Sequence, residues 1–414
     1  MSYVCSLVGE RVLMADWTRC LKQSALRELL ALASGPDMLS FALGMPASDL
    51  FPAEAYAQAA ARALATDPQA LQYGMPYLPL KEHIVALMAQ RGVKCKSEEV
   101  FLTSGAQQAM SLLARLLLES HGEVIIEETA YDGMQTVLKP FQAEILTVPV
   151  DVETGMDVDA VESLLAAGSR PAFIYAITDG HNPIGVSMSA DKRSWLVELA
   201  VRNRVPIIED DAYGLLCYET ESTPPLRALN DDMVFYVGSF SKILAPGLRV
   251  GWLIVPEDMT STLSVARDAS DMDTSSFAQR TISAFLDAGH MPEHIDKLRR
   301  EYRARRDAML RALEDCFPDE ARWRSPSSGL FIWVEMPITI DTGQLLREAA
   351  EKARVVFIPG EAFCVPGHLQ ATNCLRLSFS TCAPDRISEG ILRLSRVLKQ
   401  QLVRMTNGGH SKWR

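Results

Sequence analysis

The chain of 414 residues lacks several features that would place it in other classes of protein. It has no run of about 18 apolar residues, so we expect no membrane-spanning helix. Positive charge does not dominate, since 41 Lys and Arg stand against 52 Asp and Glu for a net charge of −11. Nucleic-acid-binding proteins usually carry a basic face, so we expect no nucleic-acid partner. Local basic residues can still bind a small anion.

The cysteines and histidines lack the spacings that indicate disulfide frameworks or metal sites. None of the eight cysteines forms a CxxC pair, and a chain of this length needs no disulfides to fold. The first residues are interrupted by Glu10, Arg11 and Asp16, which argues against a secretory signal. We therefore expect reduced thiols in a cytoplasmic protein. The seven histidines show no ligand spacing, so we expect no metal.

Between about residues 80 and 260, short apolar runs alternate with helical patterns such as 106–120 and 189–203. The apolar runs are VFLT (100–103), EVIIE (123–127), EILTVP (144–149), AFIYAI (172–177), VPIIED (205–210), VFYVG (234–238) and VGWLIV (250–255). Strands that alternate with helices predict an α/β fold with a mostly parallel sheet, here of seven strands, between layers of helices.

After about residue 280 the pattern changes. A long charged helix is predicted at 294–317, and apolar runs follow at 330–336, 355–360 and 375–380. We predict a large domain at 50–285 and a smaller α+β domain at 286–405. The N-terminal segment, 1–49, contains a helical pattern at 24–34 and is expected to join the small domain. Residues 406–414 are expected to form a flexible tail.

Two motifs offer polar groups directly after predicted strands. In TSGAQQ (103–108), Gly105 permits a tight turn into a helix, whose free N–H groups suit a phosphate; an ordinary helix cap explains the same pattern. In HNPIG (181–185), Asn182 follows a strand, where open α/β sheets bind ligands, although Asn-Pro is also common in plain loops.

A third motif, EDDAYG (209–214), ends the run VPIIED. Asp210 and Tyr213 are three residues apart, so both could face one ligand across a turn. A carboxylate at the end of a buried strand is unfavourable unless it is paired, so we expect a cationic partner for Asp210. The alternative interpretation is a solvent-exposed acidic loop, and it suits Glu209 and Asp211.

The fourth motif, GSFSKILAPGLR (238–249), places Lys242 after a buried run. A desolvated lysine has a lowered pKa, and its neutral amine can form a Schiff base. Ser239 and Ser241 can donate to a phosphate, and Arg249 supplies a planar cation of suitable shape. Each motif alone is explained as readily by loop or cap chemistry, but all four together are difficult to explain separately.

With these motifs the chain resembles the class I and II aminotransferases, which are fold-type I enzymes dependent on pyridoxal 5'-phosphate (PLP). The resemblance extends from SFALGMPASDLFP (40–52) and LQYGMPYLPLKEHI (71–84) to PGEAFCVPG (359–367) and NCLRLSFS (373–380). It is similar to the subgroup of 2-aminoadipate, kynurenine and branched-chain or aromatic aminotransferases. The resemblance implies a homodimer with active sites at the subunit interface. Its substrates would be an L-amino acid and a 2-oxo acid.

The resemblance also implies a role for each matching residue. Lys242 would hold PLP as an internal aldimine and act as the base on the way to pyridoxamine phosphate, and Asp210 would pair with the pyridine nitrogen. Tyr213 and Asn182 would bond the ring's phenolic oxygen, and Tyr131 would stack on the ring. The phosphate would be bound by Ser104, Gly105, Ala106, Gln107, Ser239, Ser241 and Arg249. Tyr73 would contact the phosphate of the neighbouring subunit. The substrate would be bound by Gly44, Asn182, Arg376 and Arg27.

The sequence departs from the family pattern around HNPIG, where Ile184 replaces the usual threonine and Thr178-Asp179-Gly180 precedes His181. These changes leave open a PLP-dependent oxidase, lyase or other chemistry at the α, β or γ carbon. Arg27 is either a contact for an acidic substrate or a helix-surface residue. The ligand-sensing domain of a transcription regulator and a non-catalytic binding protein are weaker alternatives, the latter because Lys242 is present.

Overall fold

The computed structural model describes residues 15, 17–18, 37–219, 222–367 and 371–408. The helical pattern at 24–34, and Arg27 with it, lies outside these residues. In the described part of the chain, no helix is both long and apolar enough to cross a membrane.

The main sheet has seven strands in the order β2-β10-β9-β8-β7-β3-β4, as the alternating apolar runs predict. The strand β10 is antiparallel to both of its neighbours, β2 and β9, and the other neighbouring pairs in the sheet are parallel. Each strand corresponds to one of the seven runs, and its first and last residues lie within two residues of the ends of that run. Most are buried on both faces, which explains why they are continuously apolar. The strands are β2 (Val100–Thr103), β3 (Glu123–Glu127), β4 (Glu144–Val148), β7 (Ile174–Ala176), β8 (Ile207–Asp210), β9 (Val234–Ser239) and β10 (Gly251–Ile254).

Helices surround this sheet and fill the intervals between its strands. The charged pattern predicted at 294–317 is confirmed as one long helix, α9. The helices are α1 (Ala53–Thr66), α2 (Leu78–Ala89), α3 (Ala106–Leu117), α4 (Asp132–Leu138), α5 (Val158–Ala166), α6 (Ala190–Asn203), α7 (Glu257–Asp268), α8 (Ser276–Asp287), α9 (Met291–Cys316), α10 (Thr342–Glu348) and α11 (Pro384–Gly408).

A second, antiparallel sheet has the order β11-β12-β15-β14 and lies with α9, α10 and α11 in the C-terminal part of the chain. Small strands complete the fold. These strands are β1 (Leu39–Ser40), β5 (Val150–Asp151), β6 (Gly155–Met156), β11 (Arg322–Trp323), β12 (Phe331–Glu335), β13 (Val355–Val356), β14 (Ile358–Pro359) and β15 (Cys374–Ser378).

Two details differ from the sequence-based expectation. The run at 355–360 does not form one strand: β13 pairs in parallel with β1, whereas β14 pairs with β15 in the other sheet. The chain divides there because each half meets a different, distant partner. The last described helix, α11, continues to Gly408, two residues past the position where a tail is expected to begin. The division at 49, 285 and 405 stays a prediction; the β1–β13 pairing is compatible with an N-terminal segment that joins the small domain.

Candidate active site

A cavity of about 340 Å³ opens where the carboxyl ends of β7, β8 and β9 meet the N-terminus of α3. This is the edge at which parallel α/β sheets bind ligands, and the volume is within the range of small-molecule sites, roughly 300–1,000 Å³. The polar residues that line it come from segments far apart in sequence. They are Gln107, Tyr131, Asn182, Asp210, Tyr213, Ser239, Ser241, Lys242, Arg249 and Arg376.

Lys242 lies in the turn after β9, and its ammonium group points across the cavity. Its Nζ donates a hydrogen bond to the carbonyl oxygen of Gly44, at 2.7 Å. Burial, together with the positive charges of Arg376 and Arg249, lowers the pKa of Lys242 to about 8, although the carboxylate of Asp210 opposes the shift. A substantial fraction of this amine is therefore neutral, and nucleophilic, near physiological pH.

Asp210 is the last residue of β8 and is buried. Its Oδ2 accepts a hydrogen bond from the hydroxyl of Tyr175 at 2.7 Å, whereas its buried Oδ1 has no partner among the described residues. Burial, reinforced by the neighbouring charge of Asp211, raises the pKa of Asp210 to about 6. An oxygen of this kind requires a donor, preferably a cationic one. The protonated pyridine nitrogen of PLP has that chemistry, so the residues fit the cofactor that the resemblance implies.

The opposite end of the cavity is formed by the start of α3 and by Arg249. Gly105 has a φ of +87°, and a Cβ at this position would lie 2.6 Å from Nη2 of Arg249. The Arg249 Nη2 also donates to the carbonyl oxygen of Ser104 at 3.0 Å. Glycine therefore lets a cation lie directly against a helix N-terminus, an arrangement that suits a phosphate.

The two serines of GSFSK lie at the same end of the cavity. The hydroxyl of Ser239 accepts a hydrogen bond from the backbone N–H of Ser241 at 3.1 Å. This hydroxyl keeps its own proton for donation, because the bond uses only a lone pair. Both side chains line the cavity together with Ala106 and Gln107.

Arg376, on β15, closes the other side of the cavity. Its Nη1 donates to Oδ1 of Asn182 at 2.6 Å and its Nη2 donates to the carbonyl oxygen of Ala42 at 2.5 Å. The guanidinium carbon lies 4.1 Å from the ring centroid of Phe331 and 4.6 Å from that of Phe363. Two aromatic faces and two oxygens thus fix the fork of the guanidinium. A fixed fork of this shape is suited to a carboxylate.

The two cavity tyrosines keep their protons. Burial raises the pKa of Tyr131 to about 12 and raises that of Tyr213 further above its usual value. The ring of Tyr213 packs edge-on against Phe331, with 6.0 Å between centroids. Both hydroxyls are therefore available as hydrogen-bond donors over the physiological range of pH.

Some residues predicted from the sequence do not line the cavity. The hydroxyl of Ser104 instead forms hydrogen bonds with Asp271 and Thr274, each at 3.0 Å. Gly105 lies directly against the guanidinium of Arg249. Only backbone groups of these two residues could reach a ligand. Tyr73 is 82% exposed and does not line the cavity of its own chain. Gly44 does line the cavity, and Arg27 lies outside the described residues.

The departures around HNPIG are accommodated by packing and buried ion pairs. Ile184 is buried in the core. Asp179 pairs with Arg91 at 2.9 Å and with Arg193 at 2.7 Å, and His181 lies 2.7 Å from Oε2 of Glu127. These residues support the loop that carries Asn182, and none of the six lines the cavity.

Sequence reasoning missed Tyr175, Phe331 and Phe363, although each contacts a predicted site residue. A signal was present for Tyr175, because a tyrosine within a buried parallel strand needs a partner for its hydroxyl. The two phenylalanines carry no such signal, since an aromatic residue in a strand or turn is explained by core packing alone.

Known proteins resemble the chain over nearly its whole length. The pattern of the family described as aminotransferase class I and II matches residues 36–394. An aromatic-amino-acid aminotransferase of Thermococcus litoralis is 35% identical over 391 residues, which cover 92% of this chain and 93% of that protein. A 2-aminoadipate transaminase of Thermus thermophilus is 36% identical over 386 residues, which cover 92% of this chain and 94% of that protein.

A solved structure shows the same fold. The alpha-aminoadipate aminotransferase of Thermus thermophilus, complexed with N-(5'-phosphopyridoxyl)-L-leucine, is 34% identical and superimposes with a TM-score of 0.87. The match covers 94% of this chain and 98% of that one. The sequence resemblance and the fold expected from it are thereby confirmed, and the chain belongs to the class I and II aminotransferases, with the architecture of fold-type I enzymes.

Proposed function

We propose that this chain is a PLP-dependent aminotransferase, which moves the amino group of an L-amino acid to a 2-oxo acid. One observation carries the proposal. A nucleophilic amine (Lys242), a buried carboxylate with one oxygen lacking a partner (Asp210) and a fixed guanidinium (Arg376) line the same cavity. This set matches the three needs of the reaction: a covalent attachment point, a partner for a cationic ring, and a clamp for a carboxylate.

PLP, when bound, supplies an electron sink that stabilises negative charge at the substrate's α-carbon. In our proposal Asp210 holds the pyridine nitrogen protonated through Oδ1. Tyr213 and Asn182 hydrogen-bond the phenolic oxygen, and Tyr131 stacks on the ring. Ser239, Ser241 and Arg249 bind the phosphate with backbone groups from 104–107 at the start of α3, where the helix dipole favours negative charge.

Lys242 has two proposed roles, both at Nζ. As a neutral amine it would hold the cofactor covalently at the aldehyde carbon, with loss of water. Once displaced by the substrate's amine, Nζ would accept the α-proton and pass it to that carbon of the cofactor in the first half-reaction, and it would return a proton to the α-carbon in the second. A base with a pKa of about 8 suits both directions, because it is neither too weak to take the proton nor too strong to release it. The carbonyl of Gly44, which accepts from Nζ at 2.7 Å, restrains the amine on the substrate side.

Arg376 is proposed to bind the substrate's α-carboxylate through both Nη atoms. Those atoms already donate to Asn182 and Ala42, so the substrate carboxylate would take the place of at least one of these acceptors. The guanidinium is thereby held in a fixed orientation before the substrate binds, which reduces the conformational entropy lost on binding. Arg27 stays a prediction as a contact for an acidic side chain.

A homodimer is part of the proposal. Leu71, Tyr73 and Met75 are 79%, 82% and 84% exposed within a single chain, and apolar side chains clustered in this way favour an interface. A second copy that covers this surface would bring Tyr73 to the neighbouring phosphate. A cytoplasmic location also stays a prediction; it is supported by the six cysteines among the described residues, none of which forms a disulfide.

The function is tested by incubating the purified enzyme with single amino acids and either 2-oxoglutarate or pyruvate. Transamination predicts a new amino acid in amounts equal to the 2-oxo acid formed. The alternative chemistries predict something else: ammonia release or oxygen uptake without any need for an oxo-acid acceptor. Either of those results, with no amino-group transfer across the screen, would contradict an aminotransferase.

A further inference from the structure

Asp210, the last residue of β8, and Asp211, which follows the strand, each accept a hydrogen bond from a buried tyrosine of a neighbouring strand. The hydroxyl of Tyr175, on β7, donates to Oδ2 of Asp210 at 2.7 Å. The hydroxyl of Tyr236, on β9, donates to Oδ2 of Asp211 at 3.0 Å. Strand register explains the pairing: Tyr175 is opposite Ile208, so its side chain shares a face with that of Asp210 two residues on.

The two carboxylates differ in what else they contact. Asp211 is fully satisfied, since Arg91 donates to its Oδ2 at 2.5 Å and the N–H of Gly214 donates to its Oδ1 at 2.7 Å. Asp210 receives one hydrogen bond only, from Tyr175, and its Oδ1 has no partner among the described residues. Tyr236 thus adds to a charge already neutralised by arginine, whereas Tyr175 is the one donor that fixes Asp210.

We propose that Tyr175 is a positioning residue for the reaction, whose hydroxyl holds one oxygen of Asp210 so that the ionised carboxylate keeps its other oxygen for the cofactor's ring nitrogen. This inference rests on the proposed function. The hydroxyl is a dependable donor, because burial raises the pKa of Tyr175 well above its usual value. The other ionisable groups around the pair are Asp211 and Lys242 near the carboxylate, and Tyr131 and Glu127 near the phenol.

The donated bond affects where the shared proton lies. A hydrogen bond to a carboxylate stabilises the ionised form and makes it a weaker base. With the bond, the proton between Asp210 and the ring nitrogen stays on the nitrogen, and the ring keeps its positive charge. Without it, the carboxylate becomes more basic and draws the proton towards itself, which weakens the electron sink.

The test compares Tyr175→Phe with the matched control Tyr236→Phe in the holoenzyme. Both changes remove one hydroxyl from a tyrosine that is 1% exposed, and both leave one aspartate short of a donor. The enzymes are reconstituted with PLP labelled with ¹⁵N in the ring, whose NMR signal reports ring protonation directly. The dissociation constant of PLP is measured alongside, with kcat and KM for the amino acid.

For Tyr175→Phe we expect a ring-nitrogen signal shifted towards the unprotonated position and PLP binding weakened by about tenfold, the size of one hydrogen bond to a charged group. The value of kcat should fall while KM for the amino acid changes little. For Tyr236→Phe we expect a lower melting temperature, with the nitrogen signal and PLP affinity as in the wild type. An unchanged nitrogen signal in Tyr175→Phe, or an equal shift in both variants, would overturn the proposal.

A second variant keeps the test decisive if Tyr175→Phe does not fold. Replacing Tyr175 alone by 4-aminophenylalanine keeps the shape and a donor group but makes the donor weaker, so the nitrogen signal should move part of the way towards the unprotonated position. A shift towards the protonated position, or none, would overturn the role of Tyr175. Failure of the proposed function would look different, since the wild-type protein itself would then bind no PLP, or would bind PLP and transfer no amino group to a 2-oxo acid.

Discussion

The guanidinium carbon of Arg376 lies 4.1 Å from the ring centroid of Phe331, and Phe363 lies on the same cation at 4.6 Å. Arg376 is buried, and its Nε has no hydrogen-bond partner among the described residues. The aromatic rings therefore take part of the role that water or a carboxylate would otherwise have. They leave the Nη atoms for hydrogen-bond acceptors, which are Oδ1 of Asn182 and the carbonyl oxygen of Ala42.

Replacing Phe331 by leucine should raise KM for the amino acid by about tenfold, since a desolvated cation–π contact contributes about 1–2 kcal/mol. PLP affinity should change less than KM, because Phe331 would affect the cofactor only through its edge contact with Tyr213, whereas it contacts Arg376 directly. Phe285→Leu is the matched control: it also shortens a fully buried phenylalanine, but one that packs against His290 and His294 away from the cavity. The account is contradicted if the control raises KM as much as Phe331→Leu.

Arg376→Ala should raise KM for the amino acid by about a hundredfold, because a paired carboxylate loses both of its charged donors. PLP binding should be nearly unchanged. Arg376→Lys should recover only part of the loss, since an ammonium group offers a point charge and not a planar fork. Steady-state kinetics and PLP titration of both variants check this, and equal losses of affinity for PLP and substrate would remove the proposed role.

The rate at which cofactor-free protein takes up PLP should depend on pH through Lys242. Its pKa is lowered to about 8, so the amine is mostly protonated and unreactive below that pH, and mostly neutral above it. The rate should therefore rise through about pH 8 and then level off. Stopped-flow absorbance across this range measures the inflection.

The same experiment tests the cause of the shift. Because the charge of Arg376 lowers the pKa of Lys242, Arg376→Met should move the inflection to higher pH. Arg202→Met removes a charge at a half-exposed ion pair with Glu162, away from the cavity, and should leave the inflection in place. An inflection that moves to lower pH in Arg376→Met would contradict this account of the electrostatics.

Mixing two inactive variants tests whether Tyr73 completes the neighbouring site. Tyr73→Ala and Lys242→Ala should each have little activity alone. After unfolding and refolding together, half of the dimers are mixed and each carries one intact site, so about a quarter of wild-type activity should return. Recovery in the mixture, with none in either parent, is the expected result. No recovery, although native mass spectrometry shows mixed dimers, would mean that Tyr73 does not complete the neighbouring site.

Much of the fold could be predicted because the strands of the main sheet are buried on both faces. Burial of that kind requires uninterrupted apolar runs, and these are visible in the sequence without knowledge of any partner. The run at 355–360 shows the limit of the method. Val356 and Ile358 are both buried, yet they pair with different strands, and apolar character alone cannot say which.

The site was predictable to the extent that its residues follow strands directly. Asp210 and Lys242 stand where a buried run ends, and this position itself suggests a ligand. Tyr175, Phe331 and Phe363 act on residues of other strands, so their roles depend on register and on packing against partners 35, 45 and 13 residues away in the sequence. Ser104 shows the converse: its motif is suggestive, but its hydroxyl bonds to Asp271, a residue the motif does not contain.

The central claim is that Lys242 holds PLP covalently, and borohydride reduction tests it most directly. Wild-type protein incubated with PLP should be yellow, and reduction should fix the cofactor to the peptide that contains Lys242, as mass spectrometry of a digest would show. Lys242→Ala should abolish the fixed cofactor while leaving the protein folded. A colourless wild-type protein after incubation with PLP, or a cofactor fixed equally in Lys242→Ala, would contradict the account.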